Sequence, residues 1–146
     1  MCKFTENINP NMTATVIYAG DLRTVATHVQ SGTIIETDAP TDNQGKGERF
    51  SPTDLVSAAL ASCMLTIMGI AARTHHINLE GTTCQVQKIM ESNPRRIGTI
   101  QVELSVKGQS QYTEKEKGIL EHAARTCPVF LSLHPDLKKD VLFIWP

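Results

Sequence analysis

The pattern of apolar and polar positions divides the 146-residue chain into short alternating stretches on either side of one long apolar stretch. From Leu55 to Ala72, only two serines, one threonine and one glycine interrupt the apolar residues. A helix that is apolar all round is buried on most sides, so we expect a long, buried central helix that a partner subunit helps to enclose. Ser51 and Pro52 suit its start, because serine caps helix N-termini and proline fits the first turn. We expect it to end near His75.

Three short stretches that are rich in β-branched residues precede the helix and predict an antiparallel three-stranded meander. They cover residues 13–18, 22–30 and 33–37. Gly20-Asp21 and Ser31-Gly32 are turn signals between them. Residues 38–49 are polar and contain Gly and Pro, which predicts a loop. The first eleven residues show no periodicity, and we expect a loose lead-in there.

Alternating and helical patterns follow the central helix and complete the fold. We predict two strands, two helices and a last strand, which cover residues 82–90, 100–107, 113–126, 128–133 and 141–145. Thr113 and Glu116 have the spacing of a capping box. Pro128 disfavours helical geometry at Cys127 and therefore separates the two helices. The order βββ-α-ββ-α-α-β predicts an α+β fold in a single domain over residues 1–146.

Composition and charge argue against several classes of protein. The net charge is −1 and aromatic residues make up 5% of the chain, so we expect no nucleic-acid partner. The apolar stretch is close to membrane-spanning length, but it is rich in small residues and is bracketed by Asp54 and Arg73, so we expect no membrane partner. The chain does not begin with an apolar signal region, and its four cysteines form no CxxC pair. We therefore expect a cytoplasmic protein with reduced thiols.

Two of the cysteines occupy positions where sulfur chemistry is conceivable. Cys63 lies in the middle of the central helix, where apolar burial raises a thiol pKa, and most such cysteines are small core residues. A nucleophilic Cys63 would need a cation, and Arg23, Arg49 and Arg125 are the candidates. Cys127 can be the N-cap of the short helix, where backbone N–H groups favour a thiolate, or simply a buried helix-end residue. Local physical chemistry alone therefore nominates Cys127 as the more reactive sulfur.

The other candidate residues favour structural roles. Cys84 alternates with apolar residues in a predicted strand, and Cys2 lies close to the chain terminus. Two adjacent histidines, His75 and His76, suit the C-terminal end of the central helix, where a positive charge is favourable. No CxxC or HxxxH ligand pair supports a zinc site. We therefore expect neither a metal nor an organic cofactor.

Two segments around the cysteines carry a resemblance to a known family. SPTDLVSAALASC, followed later by AARTCPV, resembles the osmotically inducible protein C and organic hydroperoxide resistance family (OsmC/Ohr). Cys63 lies eleven residues after Pro52, and a second cysteine, in a Cys-Pro pair that ends a helix, follows 64 residues later. The order of elements also matches over nearly the whole chain. The resemblance implies an OsmC-like fold and an intertwined homodimer, in which two central helices pack together with active sites at the interface.

The resemblance also implies a thiol peroxidase that reduces organic hydroperoxides. Carried over, Cys63 is the peroxidatic cysteine that becomes a sulfenic acid, and Cys127 is the resolving cysteine that forms a disulfide with it. An external dithiol, often lipoyl-linked in the family, would reduce the disulfide. Arg23 stands in about the place of the family arginine that holds the thiolate. We expect an apolar pocket beside Cys63 that prefers alkyl or fatty-acid peroxides.

One family position differs in this chain. Typical peroxidases of the family carry a glutamate directly after the helix-starting proline, where it orients the arginine, and here that position is Thr53. Glu48 or Asp54 can substitute for it. The difference keeps an alternative function open, in which the same fold binds a small apolar ligand or acts as a redox sensor without catalysis.

Overall fold

A computed structural model describes residue 9 and residues 11–146 of the chain. Its elements in chain order are β1 (Ala14–Gly20), β2 (Arg23–His28), β3 (Ile34–Asp38), α1 (Pro52–His75), β4 (Thr83–Ser92), β5 (Arg95–Ser105), α2 (Glu114–Arg125), α3 (Pro128–Ser132) and β6 (Lys138–Ile144). A single 3-10 turn, Thr41–Asn43, lies in the loop before α1. This order confirms the predicted α+β class. The predicted lead-in lies largely outside the described residues, and Cys2 lies outside them.

The chain forms two compact units, Met1–Pro52 and Thr53–Pro146. The first unit holds an antiparallel sheet with the strand order β1-β2-β3, as the three β-branched stretches predict. The turn between β1 and β2 places Asp21 and Leu22 in the left-handed region, with φ of 50° and 61°. Leu22 therefore belongs to the turn rather than to the predicted strand. The single domain over residues 1–146 stays a prediction.

The second unit holds a sheet with the strand order β4-β5-β6. Strands β4 and β5 form an antiparallel hairpin, and β6 runs parallel to β5, because α2 and α3 carry the chain back between them. Strand β5 begins at Arg95, five residues before the predicted start. Its first residues lack apolar alternation, but they pair with the end of β4, where the Arg96 guanidinium binds the Glu91 carboxylate at 2.7 Å.

One face of α1 packs into the core of the second unit. Leu60, Met64 and Met68 are completely buried in that core. The core also takes residues from β5, from α2 and from the segments beside them: Ile77, Ile100, Val102, Leu104, Val106, Tyr112, Leu120, Ala124, Cys127 and Leu137. The opposite face of α1 is exposed in the chain and consists of Val56, Ala59, Ser62, Thr66, Gly69, Ile70 and Arg73. We call these seven residues the exposed face of α1.

Helix α1 is also long and apolar enough to cross a membrane, judged by length and composition alone. The mean hydropathy of its most apolar window is 2.1, and 33% of that window is buried. Core helices of soluble proteins pass the same test, so these properties are weak grounds for a spanning segment.

The two helices that follow β5 begin with the caps that the sequence predicts. The Thr113 hydroxyl accepts a hydrogen bond from the backbone N–H of Glu116 at 3.2 Å, and the Thr113 N–H donates to the Glu116 carboxylate at 2.7 Å. This capping box starts α2. Cys127 is the N-cap of α3, and Pro128 occupies its first turn. The capping box and the Cys127 N-cap are both confirmed. Each depends only on residues that are near neighbours in the chain.

Candidate active site

The fold of the second unit brings Cys63 and Cys127 close enough for their side chains to interact, but not to disulfide distance. Cys63 lies on α1 at the border between its buried and exposed faces and is partly exposed, whereas Cys127 is 0% exposed. Cys127 belongs to the apolar core, and Cys63 packs against that core. Both are free thiols. The pair therefore combines one accessible and one inaccessible thiol from segments that are distant in sequence.

The environment of Cys127 disfavours its thiolate. Burial raises the pKa of the Cys127 thiol, and the neighbouring Cys63 thiol raises it further. The backbone N–H groups of Phe130 and Val129 act in the opposite direction, and the Phe130 N–H donates to the Cys127 sulfur at 3.4 Å. The N-cap position is therefore as predicted, but the net effect on the thiolate is the reverse of the local expectation. Apolar burial outweighs the N–H donors.

Arg23 lies at the start of β2 in the first unit and is held by two carboxylates. Its Nε and Nη2 donate to the two Asp38 oxygens at 2.7 and 2.8 Å, and Nη2 also donates to Glu48 at 2.9 Å. The side-chain hydrogen bonds to Asp38 and Glu48 raise the pKa of Arg23. The hydrogen bonds from Arg23 lower the pKa of Asp38, which is 1% exposed. The guanidinium is thus fixed in one orientation.

Asp38 is a residue of this cluster that the sequence analysis missed. The polarity of residues 38–49 predicts a loop that includes Asp38, but Asp38 is the last residue of β3 and stands directly opposite Arg23 in the β2–β3 register. The backbone N–H of Glu48 also donates to its carboxylate, at 3.1 Å. Aligning the predicted strands as a hairpin would have placed these opposite charges side by side, so a signal was available.

The first turn of α1 is tied to β4 by Lys88, which the sequence analysis also missed. The Lys88 ammonium donates to the Thr53 hydroxyl at 2.6 Å and pairs with the Asp54 carboxylate at 2.9 Å. Lys88 occupies the same side of β4 as Val86, which packs against the core, and its side chain is 19% exposed. A charged residue at an apolar position of an alternating strand was the available signal.

The two candidate substitutes for a glutamate at Thr53 are thus placed differently. Glu48 contacts Arg23 in the first unit, and Asp54 contacts Lys88 in the second. Their roles in a reaction stay predictions.

The other two candidate arginines have partners of their own. The Arg125 guanidinium lies 5.5 Å from the centre of the Phe143 ring and donates to the Val141 carbonyl at 3.4 Å. Arg49 binds the Glu36 carboxylate at 2.8 Å. Arg125 is therefore engaged with strand β6, through a cation–π contact and a hydrogen bond.

The described residues form no metal-binding cluster, and neither cleft on the sheets is lined by Cys63. Among the residues that the structure describes, no group of three or more His, Cys, Asp or Glu side chains could hold a metal ion. Two clefts lie on the sheets, one of about 460 Å³ over β4, β5 and β6, the other of about 400 Å³ on the first sheet. The apolar pocket beside Cys63 stays a prediction.

Comparison with known proteins identifies relatives of the whole architecture. A family model described as OsmC-like protein matches residues 45–141. A crystal structure from Psychrobacter arcticus 273-4, of a protein named for an osmotic stress induced and detoxification response, is 48% identical; the match covers 91% of this chain and 96% of that one, with a TM-score of 0.86.

Two more distant solved structures share the fold. An organic hydroperoxide resistance protein from Elizabethkingia anophelis is 15% identical, over 94% of this chain and 97% of that one, with a TM-score of 0.71. An OsmC-like protein of unknown function from Vibrio cholerae is also 15% identical, over 90% and 97%, with a TM-score of 0.75. No curated protein sequence matches the chain.

Proposed function

The chain belongs to the OsmC family, and on that premise we propose that it is a cysteine-based peroxidase that reduces organic hydroperoxides. The observation that carries the proposal is the interaction of the Cys63 and Cys127 side chains in the second unit, one partly exposed and the other buried. A partly exposed thiol can meet a peroxide, and a sheltered thiol next to it can trap the product.

The proposed reaction has three steps. The Cys63 thiolate attacks the terminal peroxide oxygen, an S–O bond forms, the O–O bond breaks, and the substrate leaves as an alcohol after protonation. Cys127 then attacks the sulfenic sulfur of Cys63, and the sulfenic oxygen leaves as water with the Cys127 proton. An external dithiol, for which we propose a lipoyl-type reductant, returns the disulfide to two thiols and is oxidised itself. Such a cycle suits the cytoplasm, which we propose as the location.

We propose that Arg23 holds the Cys63 thiolate during the first step. A thiolate in mid-helix lacks the N–H donors of a helix N-terminus, so it needs a cation from another element. The hydrogen bonds from Arg23 to Asp38 and Glu48 support this role, because they fix the guanidinium before substrate arrives. In this proposal, Glu48 supplies the orienting carboxylate that Thr53 lacks.

We also propose a homodimer in which two copies of α1 pack together. The exposed face of α1 is built from apolar and small residues, with Arg73 at its end, and it lies opposite the face that packs into the core. Two-fold packing of such faces buries apolar surface and allows close approach of the helices. Cys63 borders this face, so the packing would place the thiol near the subunit interface.

Peroxide consumption by matched cysteine variants tests the proposed function. The reduced protein is given cumene hydroperoxide and dihydrolipoamide, and the wild type is expected to turn over many equivalents. Cys63→Ser should abolish turnover, and Cys127→Ser should react once and then over-oxidise. Cys84→Ser is the matched control, because Cys84 is also a free, partly exposed thiol. Full turnover by Cys63→Ser would overturn the mechanism.

A redox sensor or apolar-ligand binder with the same fold is the second candidate. Arg23 already faces two carboxylates, which reduces the charge that it can offer a thiolate, and Thr53 is bound by Lys88. Mass spectrometry after one equivalent of peroxide separates the candidates. A sensor loses two hydrogens per chain without further turnover, a binder keeps its mass, and a peroxidase continues to consume peroxide when the dithiol is present.

A further inference from the structure

We propose that the external thiol attacks the Cys63 sulfur of the oxidised protein and that Cys127 is always the sulfur that leaves. The proposal rests on the Cys63–Cys127 disulfide of the proposed function, but not on peroxide as the oxidant. It states which sulfur of the disulfide the reductant attacks, and it assigns the backbone N–H of Phe130 a part in the reaction.

Access favours attack at Cys63. Thiol–disulfide exchange requires the incoming thiolate to approach the attacked sulfur from the side opposite the leaving sulfur, and its rate depends on that access. Cys127 is 0% exposed within the apolar core of its own chain, whereas Cys63 is partly exposed in the separate chain, at the border of the exposed face of α1. An approach to Cys63 therefore comes from outside the core, and an approach to Cys127 would have to pass through it.

A backbone hydrogen bond assists the departure of the Cys127 sulfur, although burial opposes its thiolate. Its sulfur already accepts the Phe130 N–H at 3.4 Å, and the Leu131 N–H donates to the Cys127 carbonyl at 3.1 Å, which holds the turn. The Phe130 N–H belongs to the backbone of α3, so it is in place before the S–S bond breaks. A leaving thiolate with a lower pKa departs faster. Burial leaves the pKa of Cys127 raised overall, and the Phe130 and Val129 N–H groups reduce that rise. Access at Cys63 therefore decides which sulfur is attacked, and these N–H groups assist the departure of Cys127.

The step balances with a dithiol as reductant. One reductant thiolate forms a new S–S bond to Cys63, the Cys63–Cys127 bond breaks, and its electron pair stays on Cys127 as a thiolate, which then takes a proton. The second reductant thiol, as its thiolate, displaces Cys63 and closes the reductant's own disulfide. The protein gains two electrons and two protons, and the reductant loses them.

Trapping the mixed disulfide tests which sulfur is attacked. The full-length protein is oxidised with diamide, treated briefly with the monothiol N-acetylcysteine, and quenched with acid and N-ethylmaleimide at increasing times. Peptide mass spectrometry should find N-acetylcysteine on Cys63 and maleimide on Cys127 at the earliest times. Adducts mainly on Cys127, or a failure of diamide to link the two cysteines, would overturn the proposal. Because diamide replaces peroxide, correct trapping combined with absent peroxidase turnover would refute only the proposed function.

A matched pair of variants tests the leaving-group contribution. Phe130→Pro removes the N–H that binds the Cys127 sulfur, and proline is tolerated in a first helical turn. Phe130→Ala removes the same ring but keeps the N–H. If the lost hydrogen bond raises the leaving-group pKa by about one unit, N-acetylcysteine should reduce oxidised Phe130→Pro about threefold more slowly than Phe130→Ala. Equal rates would overturn the role of this N–H, and trapping on the wild type tests the attack site independently of either variant.

Discussion

Thr66 lies in the middle of the exposed face of α1, and its replacement by glutamate should separate the subunits of the proposed homodimer. The Thr66 hydroxyl donates to the Ser62 carbonyl one turn earlier, at 2.9 Å. The side chain is therefore satisfied within its own helix and presents a small, largely apolar surface. In the separate chain the residue is exposed, so a glutamate there would remain hydrated and leave the fold of the unit intact.

The expected loss of dimer affinity follows from the two-fold symmetry of the proposed homodimer. In a two-fold dimer with α1 packed against α1, each copy contributes one carboxylate to the interface. Moving an unpaired charge from water into such an interface costs about 3–5 kcal/mol after relaxation. Two carboxylates therefore weaken association by about 6–10 kcal/mol, which is about 10⁴- to 10⁷-fold in the dimer Kd.

Light scattering coupled to size-exclusion chromatography, supported by sedimentation velocity over a dilution series, measures the effect. The wild type should run as two 16.1 kDa chains and Thr66→Glu as one. Thr66→Val is the control, because it has nearly the same shape and no charge, and it should remain dimeric. Circular dichroism checks that the glutamate variant keeps its helices. If Thr66→Glu dimerises as tightly as Thr66→Val, or if the wild type is a monomer, packing through this face is wrong.

Three further predictions concern stability. Lys88→Met removes an ammonium that is 19% exposed and binds the first turn of α1, so it should lower the free energy of unfolding by about 1–2 kcal/mol in guanidinium titrations. Lys115→Met, at an exposed position of α2, should stay within about 0.5 kcal/mol of the wild type, and equal losses would contradict the role of the Lys88 contacts. The folded-state pKa of Asp38 is depressed by its guanidinium partner, so its contribution to stability is complete above the ordinary aspartate pKa of about 4 and is lost as the pH falls through the folded value. The melting temperature of Asp38→Asn should accordingly fall less steeply than that of the wild type below about pH 5, and identical slopes would disprove this linkage. Oxidation with diamide should raise the free energy of unfolding by about 4 kcal/mol, because a Cys63–Cys127 bond closes a loop of about 65 residues in the unfolded chain. A chemical denaturation midpoint that does not rise on oxidation would show that native-state strain cancels this gain.

The features that were predicted well from the sequence are those that residues a few positions away determine. The capping box of Thr113 and Glu116 and the break before Pro128 each follow from atoms within one helical turn. The order of strands and helices, and hence the α+β class, follows from the local period of apolar residues. Helix α1 begins at Pro52 and ends at His75, as its punctuation and composition indicate.

The features that the sequence predicted poorly depend on contacts between distant segments. Strand β5 extends back to Arg95 because β4 is there to pair with it, although its first residues have no apolar alternation. Lys88 and Asp38 form ion pairs that the apolar periodicity of the sequence does not predict. Their signals, a charge on the inner side of a strand and opposite charges in a hairpin register, become visible only once the strands are aligned.

The sequence by itself therefore determined the elements, their order and the presence of two thiols in characteristic places. Only the tertiary structure decided what surrounds each thiol. Cys127 caps α3 as its local sequence requires, yet its thiolate is disfavoured, because folding buries it in the apolar core beside Cys63. The physical reason is that a helix cap is a short-range geometry, whereas desolvation is set by every segment that the fold packs around the sulfur.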